Sequence, residues 1–264
     1  MNNILVLTSG KVKKLDAFPD SVDKASFDDV WFDSLNKNLE LRTKNLKKYK
    51  LIYFRMVGRS LEPATLVVDY AVKNRIKIID KIYETSLLMP LSLGKSMELK
   101  KLMDAGVPIP KTVFGRMDKL PYPFVVKSTT SSRGREVFLI KNQNDTFPKK
   151  PDKFYFAQEF IPNANRTRAL VVGDKVVGAI KRQTKWNKDE TKETLNPIPK
   201  EVEKLALFAT NAAGLNICGV DILEDAGGKL WVIEANAAPS WKLINKYCGV
   251  IVENEIIKYL QKQV

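Results

Sequence analysis

Histidine is absent from this chain of 264 residues. That absence excludes Ser-His-Asp triads, histidine general bases and nearly all catalytic zinc sites. Any chemistry must run on carboxylates, lysines, arginines and a metal held by oxygen. Cysteine is scarce as well. Cys218 and Cys248 sit among apolar residues without metal-ligand spacing, which argues against a disulfide scaffold and for a reducing cytoplasm. Long apolar runs are missing: no stretch approaches the roughly 18 apolar residues of a membrane span. The opening Asn2-Asn-Ile-Leu-Val-Leu-Thr8 has no basic flank and too short an apolar run for a signal peptide. We therefore expect a cytoplasmic protein with no membrane partner.

Acidic residues are also in deficit. The chain has 44 basic and 30 acidic side chains, a formal charge of +14. Nucleic acid, an anionic membrane surface, or an acidic small molecule or peptide could each answer that charge. The lysines are spread along the whole chain with no basic arm, which argues against nucleic acid. A generally lysine-rich composition accounts for the charge equally well.

The first third reads as strands alternating with helices. Ile4–Thr8, Leu51–Phe54 and Ile76–Ile79 are short apolar strands. Leu61, Ala64, Val68, Ala71 and Val72 recur at helical spacing, with Pro63 in the first turn. Such alternation implies a parallel, Rossmann-like sheet over residues 1–90, and the lack of Gly-x-Gly-x-x-Gly after the first strand excludes a dinucleotide site. Beyond it, Lys95–Ala105 reads as a helix with Leu99, Leu102 and Met103 on one face, ended by Gly106, Pro108 and Pro110. Short strands follow at Phe124–Lys127, Val137–Ile140 and Tyr155–Gln158. Arg168–Arg182 reads as a hairpin turning at Gly173-Asp174. A helix after Pro199 buries Val202, Leu205, Ala206 and Ala209. Strands at Ile217–Leu223 and Leu230–Ala235 and a helix at Val252–Gln261 complete the chain. The lysine-rich stretch Gln183–Pro197 reads as a loop.

Four places can carry chemistry. Asp221 lies on one of the last two strands, and Glu234 and Asn236 share a face of the other at period two. Two carboxylates and an amide oxygen make a hard, all-oxygen set that suits magnesium. Solvated carboxylates at a sheet edge are the other reading, but the apolar neighbours of both acids demand a partner. Second, Lys127 ends an apolar strand and is followed by Ser128-Thr-Thr-Ser131-Ser132-Arg-Gly134. A hydroxyl-rich loop of this kind can fold over phosphates or be an ordinary turn. Third, Gln158-Glu159-Phe160-Ile161 closes a strand where a hinge could read an adenine edge and hold ribose hydroxyls. Fourth, Arg168 and Arg182 stand at opposite ends of the hairpin, which should bring them close together. Guanidinium pairs suit phosphate or carboxylate, though pairing with acidic neighbours is equally open.

The order and spacing of these residues resemble the ATP-grasp superfamily over nearly the whole chain, and its RimK-like branch in particular. Three blocks carry the resemblance: Lys95-Ser-Met-Glu through Pro110-Lys-Thr112, Val171-Val-Gly-Asp through Lys181-Arg182, and Gly219-Val-Asp-Ile-Leu with Val232-Ile-Glu-Ala-Asn-Ala-Ala-Pro239. The resemblance implies a Rossmann-like pre-ATP-grasp domain (1–90) followed by a two-subdomain ATP-grasp fold (91–157 and 158–264), α/β and α+β in class. It also implies an ATP-dependent carboxylate–amine ligase acting through an acyl phosphate on an amino acid or peptide. By the same resemblance Lys95, Lys127 and the Ser131, Ser132, Gly134 loop would bind ATP phosphates. Gln158, Glu159, Phe160 and Ile161 would hold adenine and ribose, Arg168 and Arg182 would steady the transferred phosphoryl group, and Asp221, Glu234 and Asn236 would hold Mg2+. Three departures stand out. Arg166 replaces an acid two positions before the hairpin arginine, Gly134-Arg135-Glu136 lacks a further glycine, and residues 185–194 replace an Asn- and Gly-bearing loop. They keep two other readings open, a non-catalytic nucleotide-binding module and a ligase making side-chain amide or ester links within a peptide. Arg166, Arg55 and the positive charge point to an acidic amino acid or an Asp- and Glu-rich peptide as substrate, although Arg166 meeting solvent or a neighbouring acid is equally open.

Overall fold

The computed structural model describes residues 2–33, 38–41, 44–84, 94–115, 117–129, 136–150, 154–183 and 193–264. In the first part the strands are β1 (Ile4–Thr8), β2 (Asp23–Ser26), β3 (Val30–Asp33), β4 (Asn38–Leu41), β5 (Lys44–Asn45), β6 (Leu51–Met56) and β7 (Lys77–Ile79), with helix α1 (Leu61–Lys73) before the last. Strands β2-β1-β6-β7 form an all-parallel sheet. The central β1 and the stretch Leu51–Phe54 of β6 are continuously apolar because both faces are covered, whereas the edge strand β2 reads Asp23-Lys-Ala-Ser26. Leu5, Leu7, Ile52 and Phe54 enter one core, while Ile4, Val6, Leu51 and Tyr53 enter another. The connection from β1 to β2 carries only a 3-10 turn, Val12–Leu15. A small antiparallel sheet, β3-β4-β5, was not legible in the sequence. Helix α1 buries Ala64, Val67, Val68 and Ala71. Val72, expected on that face, is instead exposed, because Val67 takes the inward position one turn before Ala71.

Helix α2 (Lys95–Asp104) buries Leu99 and Leu102 but leaves Met103 exposed, a narrower stripe than expected. Strands β8 (Thr112–Phe114), β9 (Phe124–Ser128), β10 (Val137–Ile140) and β11 (Tyr155–Glu159) follow. They pair in the antiparallel order β10-β9-β11-β8 over a core of their own: Leu120, Phe124, Val126, Ile140, Tyr155 and Ala157.

The last part contains β12 (Asn165–Val172), β13 (Lys175–Gln183), β14 (Glu193–Thr194), α3 (Lys200–Ala213), β15 (Ile217–Glu224), β16 (Leu230–Asn236), α4 (Lys242–Cys248) and α5 (Val252–Gln261). Its antiparallel sheet runs β14-β13-β12-β15-β16. Alternation along β12 splits the side chains between the two main cores: Ala169 and Val171 join the first with α3, Leu170 and Val172 the second with α4 and α5. The parallel sheet and this five-stranded sheet therefore share both cores. At the hairpin turn Gly173 has φ +64°, and a Cβ there would lie 2.6 Å from the Tyr259 ring, so both conformation and space demand glycine. The loop expected over 183–197 is partly strand: Gln183 ends β13, and Glu193–Thr194 pairs with it. Among the described residues, no helix is long and apolar enough to cross a membrane.

Candidate active site

Pairing register, more than sequence proximity, assembles the charged residues. Arg168 on β12 stands directly opposite Asp221 on β15, and Asp221 stands opposite Glu234 on β16. Directly opposed residues share a face, so these three form one row across three strands. Asn236, opposite Gly219, lies two positions beyond Glu234 on the same face. Its Nδ2 donates to Glu234 Oε1 at 3.3 Å, and its Oδ1 accepts from Ala238 N at 2.8 Å.

Asp221 is fully buried. Arg168 grips it with two parallel bonds, Nε to Oδ1 at 2.7 Å and Nη2 to Oδ2 at 2.6 Å, and Arg166 Nη2 also donates to Oδ2. Burial alone would raise the Asp221 pKa, but the Arg166 and Arg168 charges and hydrogen bonds outweigh it and hold the carboxyl at about 2. Burial pulls Arg168 down, yet its bonds to Asp221 and the charge of Glu234 leave it above its ordinary value. The departure at Arg166 thus has a structural outcome: its charge is spent on Asp221. Arg182 stands directly opposite Arg166, with Ile180 opposite Arg168, so the two hairpin arginines are diagonal neighbours in register. A one-residue irregularity between Leu170 and Val171 sets that register.

The four-stranded antiparallel sheet supplies Lys127, on β9. Its Nζ donates to Gln158 Oε1 at 2.6 Å, and Gln158 Nε2 donates to Thr112 Oγ1 at 3.0 Å. Gln158 is buried, and its amide is consumed in orienting the lysine. Burial lowers the Lys127 pKa to about 8; Glu234 and Asp221 pull it up, while Arg166 and Lys95 push it down. Charges from α2, β9, β12, β15 and β16 therefore act on one another in one neighbourhood. Glu159 ends β11, and the connection 160–164, with Phe160 and Ile161, carries the chain into the other sheet. The Glu159 carboxylate is exposed and accepts from Lys111 N at 3.3 Å. Ser131, Ser132 and Gly134 lie outside the described residues, as does the side chain of Arg182.

Sequence reasoning missed Glu98. Its Oε1 accepts from Ala235 N at 2.6 Å, beside Glu234. With the bond from Val232 N to Pro108 O at 2.8 Å, it satisfies the outer edge of β16 and fixes α2, with Lys95 at its first turn, against that strand. Burial, reinforced by the charge of Glu234, raises the Glu98 carboxyl to about 8. The available signal was helical spacing: Glu98 is one turn before the buried Leu102.

Carboxylate and amide oxygens at Asp221, Glu234 and Asn236 fit magnesium in kind. Both oxygens of Asp221 are already held by guanidinium groups, whereas Glu234 makes no ion pair among the described residues. Glu234 is therefore the carboxylate most open to a cation. A cleft of about 780 Å³ elsewhere, lined by Lys77, Lys81, Asn216, Glu255, Lys258 and Tyr259 among others, contains none of the nominated residues. Lys175 and Lys258 there pair with Glu255, and Lys77 with Gln263.

A family model described as the RimK-like ATP-grasp domain matches residues 97–260, and the chain belongs to that family. A probable alpha-L-glutamate ligase of Mannheimia succiniciproducens is 30% identical over 198 residues, 66% of this chain and 65% of that protein. N-acetylaspartylglutamate synthase A of Homo sapiens is 27% identical over 190 residues, 63% of this chain and 49% of that protein. The matched region thus spans less than two thirds of the length of either relative. In fold, the chain is similar to the ATP-grasp ligase PsnB complexed with a phosphomimetic variant of minimal precursor, Mg and ADP. That likeness has a TM-score of 0.72 at 17% identity and covers 100% of this chain and 99% of that one.

Proposed function

We propose that this chain is an ATP-dependent, ADP-forming carboxylate–amine ligase that joins an amino acid or a peptide through an acyl phosphate. The observation that carries the reading is the row Arg168–Asp221–Glu234 in the same electrostatic neighbourhood as Lys127. Phosphoryl transfer is accelerated by positioned cations around the moving phosphoryl group and needs no histidine. In this reading Lys127, aimed by Gln158, and Lys95 neutralise nucleotide phosphates, and Arg168, with Arg182 on the neighbouring strand, meets the transferred group. Glu159, Phe160 and Ile161 hold adenine and ribose at the crossing between sheets, and the Ser131, Ser132, Gly134 loop covers the phosphates. Magnesium, held through Glu234, Asn236 and Asp221, supplies charge neutralisation on the phosphate oxygens. The domains are read as 1–90, 91–157 and 158–264, the first Rossmann-like, and the compartment as the cytoplasm, in keeping with two free cysteines.

An acidic amino acid is the first choice of substrate, by analogy with the glutamate ligase relative and the charge of +14. A peptide is the second, favoured by the whole-chain likeness to PsnB, which has been solved with minimal precursor. The test is incubation with Mg·ATP and a panel of acidic amino acids and peptides, following ADP and product mass. Stabilisation by Mg·ADP without ADP formation on any substrate would favour a non-catalytic nucleotide-binding module. No thermal stabilisation by saturating Mg·ADP would overturn the nucleotide site itself.

A further inference from the structure

The parallel sheet contains a charged group that the ligase row does not use. Arg55, next to last in β6, is half-buried, and its guanidinium lies over the Trp241 ring at 3.8 Å. Nη2 donates to Pro239 O at 2.8 Å. Among the described residues Arg55 makes no ion pair, although a guanidinium has five N–H donors to place. The acid whose charge bears on it, Glu253, is already committed: Oε1 accepts from Trp241 Nε1 at 2.6 Å and Oε2 from Asn245 Nδ2 at 2.8 Å. Burial lowers the Arg55 pKa, and Tyr53 and Glu253 only partly oppose it. A desolvated guanidinium without a carboxylate is costly unless something else supplies one.

Topology adds a second, independent pointer. From β1 the chain moves to β2 on one side and later to β6 on the other, so strand order reverses between β1 and β6. Open parallel sheets take ligands outside the carboxyl ends of their strands at such a reversal. Arg55 is at that end of β6. Ser9 follows β1 there, with its N–H donating to Met56 O at 2.7 Å, and Ser60 Oγ donates to Ser9 Oγ at 3.1 Å. Pro239, which accepts from Arg55, is three residues beyond Asn236, so this end of the parallel sheet adjoins the loop leaving the proposed magnesium strand.

We propose that Arg55 is the anchor for a substrate carboxylate that is held without being activated, at the carboxyl ends of β1 and β6 against the loop after β16. The proposal rests on the ligase reading and assigns the group that this end of the sheet recognises. The carboxylate being phosphorylated must meet Lys127, Arg168 and Glu234, whereas Arg55 belongs to another sheet and meets the chain at Pro239, beyond the end of β16. Guanidinium offers a carboxylate two parallel bonds while its stacked face stays on Trp241. An amino acid, with a second carboxylate besides the reacting group, suits such an anchor.

The experiment measures binding of Mg·ADP, and then of L-glutamate in the presence of Mg·ADP, by calorimetry on the wild-type chain, Arg55→Gln and Arg55→Lys. The expected result is unchanged Mg·ADP affinity in all three, with glutamate weakened at least about tenfold in Arg55→Gln, as loss of a charged hydrogen bond implies. Arg55→Lys keeps the charge without the fork and should fall between, and it serves if Arg55→Gln does not fold. The uncharged diamide of glutamate should bind wild type and variants alike. Equal glutamate affinity in wild type and both variants overturns the proposal. So does a wild-type chain that binds Mg·ADP but shows no saturable glutamate binding. Failure to bind Mg·ADP at all would strike the ligase reading instead.

Discussion

Replacing Lys127 by methionine should remove a specific pH dependence from the stability of the protein. Burial pushes the folded ammonium down to about 8 from its ordinary 10.5, a penalty of about 3 kcal/mol at roughly 1.4 kcal/mol per pH unit. Methionine escapes that penalty but strands the Oε1 of Gln158, a residue only 1% exposed, at a cost of about 1–3 kcal/mol. The two effects nearly cancel, so absolute stability is a poor readout. The slope is a good one. Because the folded pKa lies below the unfolded one, the unfolded chain holds the proton more tightly between about pH 8 and pH 10.5, and wild-type stability gains on the variant as pH rises. Integrating that difference from about pH 7.5 to about pH 9.5 gives about 2 kcal/mol. Urea unfolding of both proteins at the two pH values measures it, since the titrations of groups distant from Lys127 cancel between them. In parallel, the thermal stabilisation of wild type by Mg·ADP should shrink over the same range as the ammonium discharges, and should be small in the variant throughout. Unfolding curves that keep a constant spacing with pH would refute the buried, partly discharged lysine.

Other perturbations test the remaining parts. Glu234→Gln should lower ADP formation by several orders of magnitude, with the fold intact by circular dichroism. Asp221→Asn should cost about 3–5 kcal/mol in urea unfolding, because it leaves the half-buried Arg168 and Arg166 without their fully buried counter-charge. In the wild type the same carboxyl, held at about 2, contributes stability above about pH 4 that is lost as pH falls through about 2. Glu98→Gln should gain on the wild type as pH rises from about 4.5 to about 8, where the unfolded carboxyl has ionised and the folded one, raised to about 8, has not, whereas Glu98→Leu should lose about 1–3 kcal/mol by orphaning Ala235 N. Gly173→Ala should destabilise by at least about 1 kcal/mol through its positive φ and the Tyr259 ring, read as a lower melting temperature.

Periodicity made the helices and most strands of the fold legible, because their apolar faces meet two extended cores. The small sheet β3-β4-β5 escaped because its strands are short and partly exposed, with Trp31 and Phe32 facing outward. The residues of the charged row were legible, but the partners of each were not. Asp221 reads as a metal ligand by its neighbours in sequence, yet its closest partners are Arg168 and Arg166, 53 and 55 residues away in the chain and adjacent only through register. Glu98 was hidden for a related reason: a glutamate on a lysine-rich helix reads as solvated until the edge of β16 arrives beside it. Gln158 reads from the sequence as a nucleotide contact; its hydrogen bond to Lys127, 31 residues away in the chain, was not legible there.

The separate core beneath β8 to β11 has a dynamic consequence. Leu120, Phe124, Val126, Ile140, Tyr155 and Ala157 pack among themselves, while the parallel sheet and the five-stranded sheet are sealed by side chains common to both. Cooperative opening follows shared burial, so the antiparallel four-stranded sheet can exchange its amides as a unit of its own while the rest stays closed. Lys127 belongs to this loosely coupled piece, and Arg168 and Glu234 to the larger one. A phosphate chain gripped from both sides would act as a clasp between them, and bound nucleotide should slow amide exchange in β9 and β11 far more than in β1 or β6.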